Sequence, residues 1–289
     1  MTRRPPSGGQ RAAPQARPAA RLGRLRPGCW LLPAWLLWPM AAWSHAFWMV
    51  PYGPFVEPGA RVALDLRIGP RWPGESTPRL PGLVRTFRVI DAQGSRDVAG
   101  RSGATPVGHF DARSAGAAVV AMETNASSIK LDGAQFQAYL REEHLDEALK
   151  QRESLGLSDA DAREDFFRAA KTLVIVGGDS RGFDRVVGQP IELVPVTDPA
   201  RYRPGQPFDV RLLREGRPAQ HVRIAALPQS APEKVLEANT GANGVARFTL
   251  PSAGQWTFYA VQIEPAARPS ADWQSTWASL TLAIGEVPR

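Results

Sequence analysis

Only four histidines, one cysteine and no recognisable catalytic motif carry the reactive side chains of this 289-residue chain. His45 is the sharpest of them. A small-x-small signal-peptidase pattern, Ala42-Trp43-Ser44, immediately precedes it. Cleavage after Ser44 exposes a free α-amino group and an imidazole on the same residue. These two nitrogens can close one chelate ring on a metal ion, and neutral nitrogen donors suit nickel, cobalt and copper. Both titrate near neutrality, so binding should weaken below about pH 6 as protons compete. The bland reading is that the peptidase happens to cut before a histidine. His109 follows Gly108 in an expected loop and is the best second ligand. His144 sits among Glu142, Glu143, Asp146 and Glu147, a pattern that reads as a solvated helix face, and His221 opens a strand after a turn. No HxH or HxxxH pair exists. Gly177–Gly182 (GGDSRG) lacks the Lys-Ser/Thr ending of a phosphate loop, and no G-x-S-x-G nucleophile elbow occurs. Glu57, Asp65 and Asp111 are carboxylates that the fold can bring toward His45, with turn or surface roles as the alternative. Trp48, Trp72, Trp256, Trp273 and Trp277 read as core or edge packing, with stacking on sugars as the competing use.

The elements that position these residues start with a leader. Residues 1–44 contain seven arginines and no Asp, Glu or Lys. An apolar run, Cys29–Trp43, follows, too short and too interrupted by Pro33 and Pro39 for a membrane span of roughly 20 residues but suited to a signal-peptide core. The expectation is a cleaved signal peptide over 1–44 and a periplasmic mature chain with no membrane span; an uncleaved anchor is the alternative. Removing the seven leader arginines from the 35 basic residues leaves 28, against 28 acidic ones. A neutral body gives no electrostatic basis for nucleic-acid binding. The lone Cys29 lies in the leader, so the mature chain has neither disulfide nor thiol nucleophile.

Beyond the leader, the pattern is mainly β. Ala60–Ile68 alternates Val62, Leu64, Leu66 and Ile68 with polar residues, and Thr86–Gly94 and Ala117–Thr124 read as further strands. Residues 132–171 switch to helical spacing, with Phe136, Leu140, Leu145 and Leu149 on one stripe and Gly156 as a stop. A second helix is expected after Ser158, anchored by Phe166 and Phe167. From Thr172 onward, short strands recur at the spacing of a sandwich, with Asn243-Gly244 expected as a type I′ hairpin turn. The fold class expected is therefore mainly β: two immunoglobulin/transthyretin-like β-sandwich domains, 45–185 with a helical insertion at about 132–171, and 186–289.

Five segments carry a resemblance: HAFWMVP, VEPGARVALDLRIG, AQFQAYLREEHLDEAL with DFFRAAKTLVIVG, PIELVPVTDPARYRPGQPFDVRLLREGRPAQHVRIAALP, and ANGVARFTLPSAGQWTFYAVQ. In this order they resemble the family called domain of unknown function 4198, over nearly all of residues 45–285. The resemblance implies an exported protein associated with nickel uptake or cobalt and nickel transport, working beside a membrane transporter component. The C-terminal part alone is similar to carboxypeptidase-regulatory and transthyretin-like sandwiches. Family members commonly place a second His or an acidic residue near the mature start; here the third mature residue is Phe47, so His45 alone carries over. Three functions follow as expectations: a non-enzymatic periplasmic carrier of nickel, cobalt or copper using His45 and His109; a metal-free binding or adhesion module of the cell envelope; and a copper oxidase with an N-terminal histidine brace.

Overall fold

The computed structural model describes residues 46–285; the leader expected over 1–44 and His45 lie outside the described residues. In chain order the strands are β1 (Phe47–Pro51), β2 (Phe55–Val56), β3 (Arg61–Ile68), β4 (Glu75–Thr77), β5 (Val84–Asp91), β6 (Gly94–Asp97), β7 (Gly108–Asp111), β8 (Gly116–Thr124) and β9 (Ser127–Leu131). Helices α1 (Gly133–Glu142) and α2 (Asp146–Ser154) follow. The chain then returns to β10 (Ala162–Val176), β11 (Ile191–Pro195), β12 (Pro207–Arg214), β13 (Arg217–Pro218), β14 (Arg223–Pro228), β15 (Leu236–Asn239), β16 (Val245–Thr249), β17 (Gly254–Pro265) and β18 (Trp273–Ile284).

These strands form two β-sandwiches that share one sheet. The shared sheet has ten strands, in the order β15-β14-β17-β18-β10-β8-β5-β6, with β2 and β9 also on β10. The two halves meet where β10 lies parallel to β18, from Glu164↔Trp273 to Thr172↔Thr281. Successive side chains on a strand point to opposite faces, and β10 uses both. Ala169, Leu173 and Ile175 enter a core with the C-terminal four-stranded sheet (β11, β12, β13, β16), around Phe208, Val210, Leu212 and Phe248. Ala170, Val174 and Val176 enter a core with the N-terminal sheet (β1, β3, β4, β7), around Met49, Leu64, Leu66 and Phe110. The two helices cover the rest of that second face through Phe136, Tyr139, Leu140 and Ala148, against Trp48, Trp273 and Trp277.

The helical insertion is shorter than the sequence suggests. It ends at Ser154, with Gly156 in the left-handed region at φ 66°, as its permissive backbone allows. No helix begins at Ser158; residues 162–176 are instead the longest strand among those described. Phe166 and Phe167 show why. Phe166 packs in the cluster under the helices, whereas Phe167 faces the opposite side, into a cavity with Thr276 and Gln262. The first half of β10 is only partly buried, and its adjacent Phe166 and Phe167 find an apolar or half-buried place on each face, so the period-two alternation of a one-faced strand is missing there. Asn243-Gly244 also differs from expectation. Gly244 has φ 71° but Asn243 has no positive φ, and the turn joins β15 to β16, which lie in different sheets. It is a crossing between layers, so a hairpin's demand for two positive φ values does not apply.

A buried ion pair pins the connection between the sandwiches. Lys171 on β10 and Glu192 on β11 meet at 2.5 Å with both side chains inaccessible. Lys171 also donates to the Arg185 carbonyl at 3.0 Å, and Glu192 accepts from the backbone N–H groups of Val187, Gly188 and Gln189.

Candidate functional site

The described chain starts at Ala46, which is buried and accepts a hydrogen bond from Gly69 N–H at 3.0 Å. Ala46 lines a cavity of about 290 Å³ together with Arg71, Tyr139, Glu142, Glu143, Arg223, Glu233, Glu237 and Tyr259. Each element delivers its share for a local reason. α1 begins with a capping box in which Asp132 accepts from Gln135 N–H and the Gln135 side chain accepts from Asp132 N–H. With that end fixed, Phe136, Tyr139 and Glu143 recur at three- and four-residue spacing and face inward together. β14 and β15 pair Arg223 and Glu237 on neighbouring strands, two positions apart in register.

Arg223 organises the charges. It donates to Glu237 at 2.5 Å and to Glu143 at 3.2 Å, and its cationic carbon lies 5.8 Å from the Tyr259 ring centre. Burial pushes the Glu143 carboxyl up to about 7, an increase that Arg223 only partly offsets. Glu237, bonded to Arg223 and more exposed, is held below the usual carboxylate range. Burial also raises the Tyr259 hydroxyl. One cavity thus holds a carboxyl that titrates near neutrality beside one that stays ionised.

Directly beneath lies a second polar group. Tyr139 donates to Glu164 at 3.2 Å, Ser275 donates to the same oxygen, and Trp277 donates to Ser275 at 3.1 Å. Burial pushes Glu164 up to about 7 as well. Its other carboxyl oxygen is buried with no partner among the described residues. Trp277 stacks between Tyr139 and Tyr259, with ring centres 6.2 and 6.3 Å away.

The histidines divide between this region and the far end of the N-terminal sheet. His109 lies on β7 opposite Ala63, with a ring nitrogen against the Arg61 guanidinium. Ala46 docks at Gly69, six residues further along β3, so at about 3.4 Å per residue His109 stands roughly 20 Å from the start of the described chain. The structure does not bring it to the cavity. His144 borders it: its Nε2 is 3.9 Å from the Glu237 carboxylate. His144 and His221 also line one adjoining groove with Glu143 and Arg223. Asp65 is buried and already partnered by Arg67 and Ser76.

Among the described residues, no three His, Cys, Asp or Glu side chains converge as a metal site. The cavity supplies carboxylate oxygens and, at its edge, the His144 imidazole. This set fits a transition metal only if nitrogen donors are added. Glu143, Glu237, Arg223 and the two tyrosines are absent from the sequence-based site. The four-residue step from Tyr139 to Glu143, on the stripe of Phe136, was the available signal that this glutamate points inward. The partnership with Arg223, 80 residues away, had none.

Among curated proteins, none matches this chain. Solved structures give distant likenesses. The D0-D1 domain of Intimin aligns at 10% identity over 81% of this chain and 96% of its own, with a TM-score of 0.20. Three N-terminal domains of the bacteriophage RB49 Highly Immunogenic Outer Capsid protein (Hoc) align at 7% identity over 84% and 71%, with a TM-score of 0.21. A family model described as Domain of unknown function (DUF4198) matches residues 42–264, and the chain belongs to that family.

Proposed function

We propose that this protein is exported to the periplasm through a leader ending at Ser44 and there binds or relays a transition metal, nickel, cobalt or copper, beside a membrane metal transporter. The observation that carries this reading is the position of Ala46 on the wall of a cavity lined by Glu142, Glu143, Glu233 and Glu237. A mature chain beginning at His45 would carry its amine and imidazole one residue before Ala46 in the chain. His45 would supply the nitrogen donors, and a carboxylate of the cavity wall a further one. Among the described residues, no helix is long and apolar enough to cross a membrane.

Calorimetric titration of nickel, cobalt and copper into protein starting at His45, against the same protein with one added N-terminal residue, tests it. The added residue blocks the chelate and should weaken binding at least tenfold. Equal affinity in the two proteins would refute the reading.

Arg223 supports a second reading, a metal-free binding module of the envelope, because it already engages two of the four carboxylates. A ligand that prefers the native state must raise its stability. An unchanged melting temperature across all three metals would favour this module.

A further inference from the structure

A different cavity opens on the opposite face of the shared sheet. The C-terminal sheet stops short of the ends of β10, β17 and β18, leaving a strip of sheet uncovered. Register shows what that strip presents. Ala169, Ala278 and Ala260 lie abreast on the three strands and close the core. In the next row on this face, Phe167 lies beside Thr276 and Thr276 beside Gln262; in the row beyond, Gln274 lies beside Glu264. The intervening β18 residues, Trp273, Ser275 and Trp277, turn to the helix side and are buried there. The floor of the cavity is therefore a patch of amides and hydroxyls beside one aromatic ring.

The cavity measures about 200 Å³, room for roughly seven waters at about 30 Å³ each. Its walls hold two ion pairs and Glu215, which has no ion-pair partner among the described residues. Arg214 bonds Glu264 at 2.6 Å, and Arg85 lies 3.9 Å from Glu123. Arg168 contributes only its edge, because its guanidinium is turned to the other face, over Phe47 and Phe166. The Gln262 carbonyl oxygen is buried and has no donor among the described residues. A buried acceptor of this kind costs free energy until a donor reaches it.

The geometry points to a binding site for a neutral saccharide unit on this face. A pyranose ring offers a rim of hydroxyl donors and acceptors and an apolar C–H face. The hydroxyls meet Gln262, Gln274 and Thr276, one of them donating to the orphan Gln262 oxygen. The C–H face meets Phe167. Arg85 and Arg214 each face a glutamate and Arg168 turns away, so no free cation attracts an anionic sugar, and Glu215 on the wall repels one. This site and the Ala46 cavity lie on opposite faces of the sheet and stand or fall separately.

Saturation-transfer NMR on the mature protein with glucose, N-acetylglucosamine, maltose and cellobiose, and with galacturonate as the charged control, tests the assignment. At least one neutral sugar should bind, in preference to galacturonate. It should also protect backbone amides of residues 262–264 and 274–276 from hydrogen exchange. Gln262→Leu and Thr276→Val should each weaken binding at least tenfold without lowering the melting temperature. Absence of binding by every neutral sugar, preference for a charged one, or protection confined to other segments would overturn it. If a variant fails to fold, the exchange pattern of the unaltered protein decides. Comparing glucose with a maltohexaose separates a free sugar from a polysaccharide chain, since a cavity of this size should gain little from additional rings.

Discussion

Replacing Lys171 with Met removes one half of the ion pair that joins the two sandwiches and keeps most of the side chain's volume. Both partners are inaccessible to solvent, so the loss is not screened. Removing one member of a buried pair typically costs about 3–5 kcal/mol, because an uncompensated charge remains. Glu192 keeps three backbone donors, which places the expected cost toward the lower end, about 3 kcal/mol. For a domain of this size, each kcal/mol shifts the melting temperature by roughly 2–4 °C, so Lys171→Met should melt about 6–12 °C lower at pH 7. The double variant Lys171→Met/Glu192→Gln buries no charge and should recover part of that loss, a coupling of about 1–3 kcal/mol. Calorimetry of the two single variants and the double variant measures it. A Lys171→Met shift below about 2 °C, or strictly additive variants, would refute the claim that this pair holds the linker to the sheet.

Four other outcomes follow from the same structure. Glu164 binds its proton more tightly when folded, at about 7 against an ordinary 4.5; its contribution is fully present below about pH 4.5 and lost as pH rises through 7, by about 3 kcal/mol at about 1.36 per unit. Glu143 is raised to the same value, so Glu164→Gln should remove about half of the fall in melting temperature between pH 5 and pH 8, and an unchanged pH profile would count against a buried neutral carboxyl there. Arg223→Met leaves Glu143 buried without a cation and should cost about 2–4 kcal/mol at pH 8 but less at pH 5, where Glu143 is protonated; a urea titration at both pH values reads the difference. His144 holds φ 54° at the end of α1, with Leu145 N–H reaching the Leu140 carbonyl, so His144→Gly should stabilise the helix end by up to about 1 kcal/mol while weakening any metal binding that uses its imidazole. A Cβ on Gly74 would sit 2.6 Å from the Trp48 ring, so Gly74→Ala should lower the melting temperature and disturb the packing beside Ala46, visible in near-ultraviolet circular dichroism.

The sequence by itself determined the β-rich class, the position of the helical insertion's start and the strand faces wherever one side of a strand meets solvent. Alternation at Val62, Leu64 and Leu66 and the stripe of Phe136 and Leu140 carry that information locally, because one wet face and one dry face impose a period. That signal fails in the first half of β10, where the adjacent Phe166 and Phe167 each find a place on opposite faces, and the parallel pairing of β10 with β18, 109 residues away, leaves no local trace. The candidate site divides along the same line. His45 is legible because a cleavage pattern precedes it. Only the tertiary structure decided that Ala46 shares a cavity with Glu143, Arg223 and Glu237 while His109 lies elsewhere, since distances between elements depend on how whole sheets stack and not on spacing along the chain.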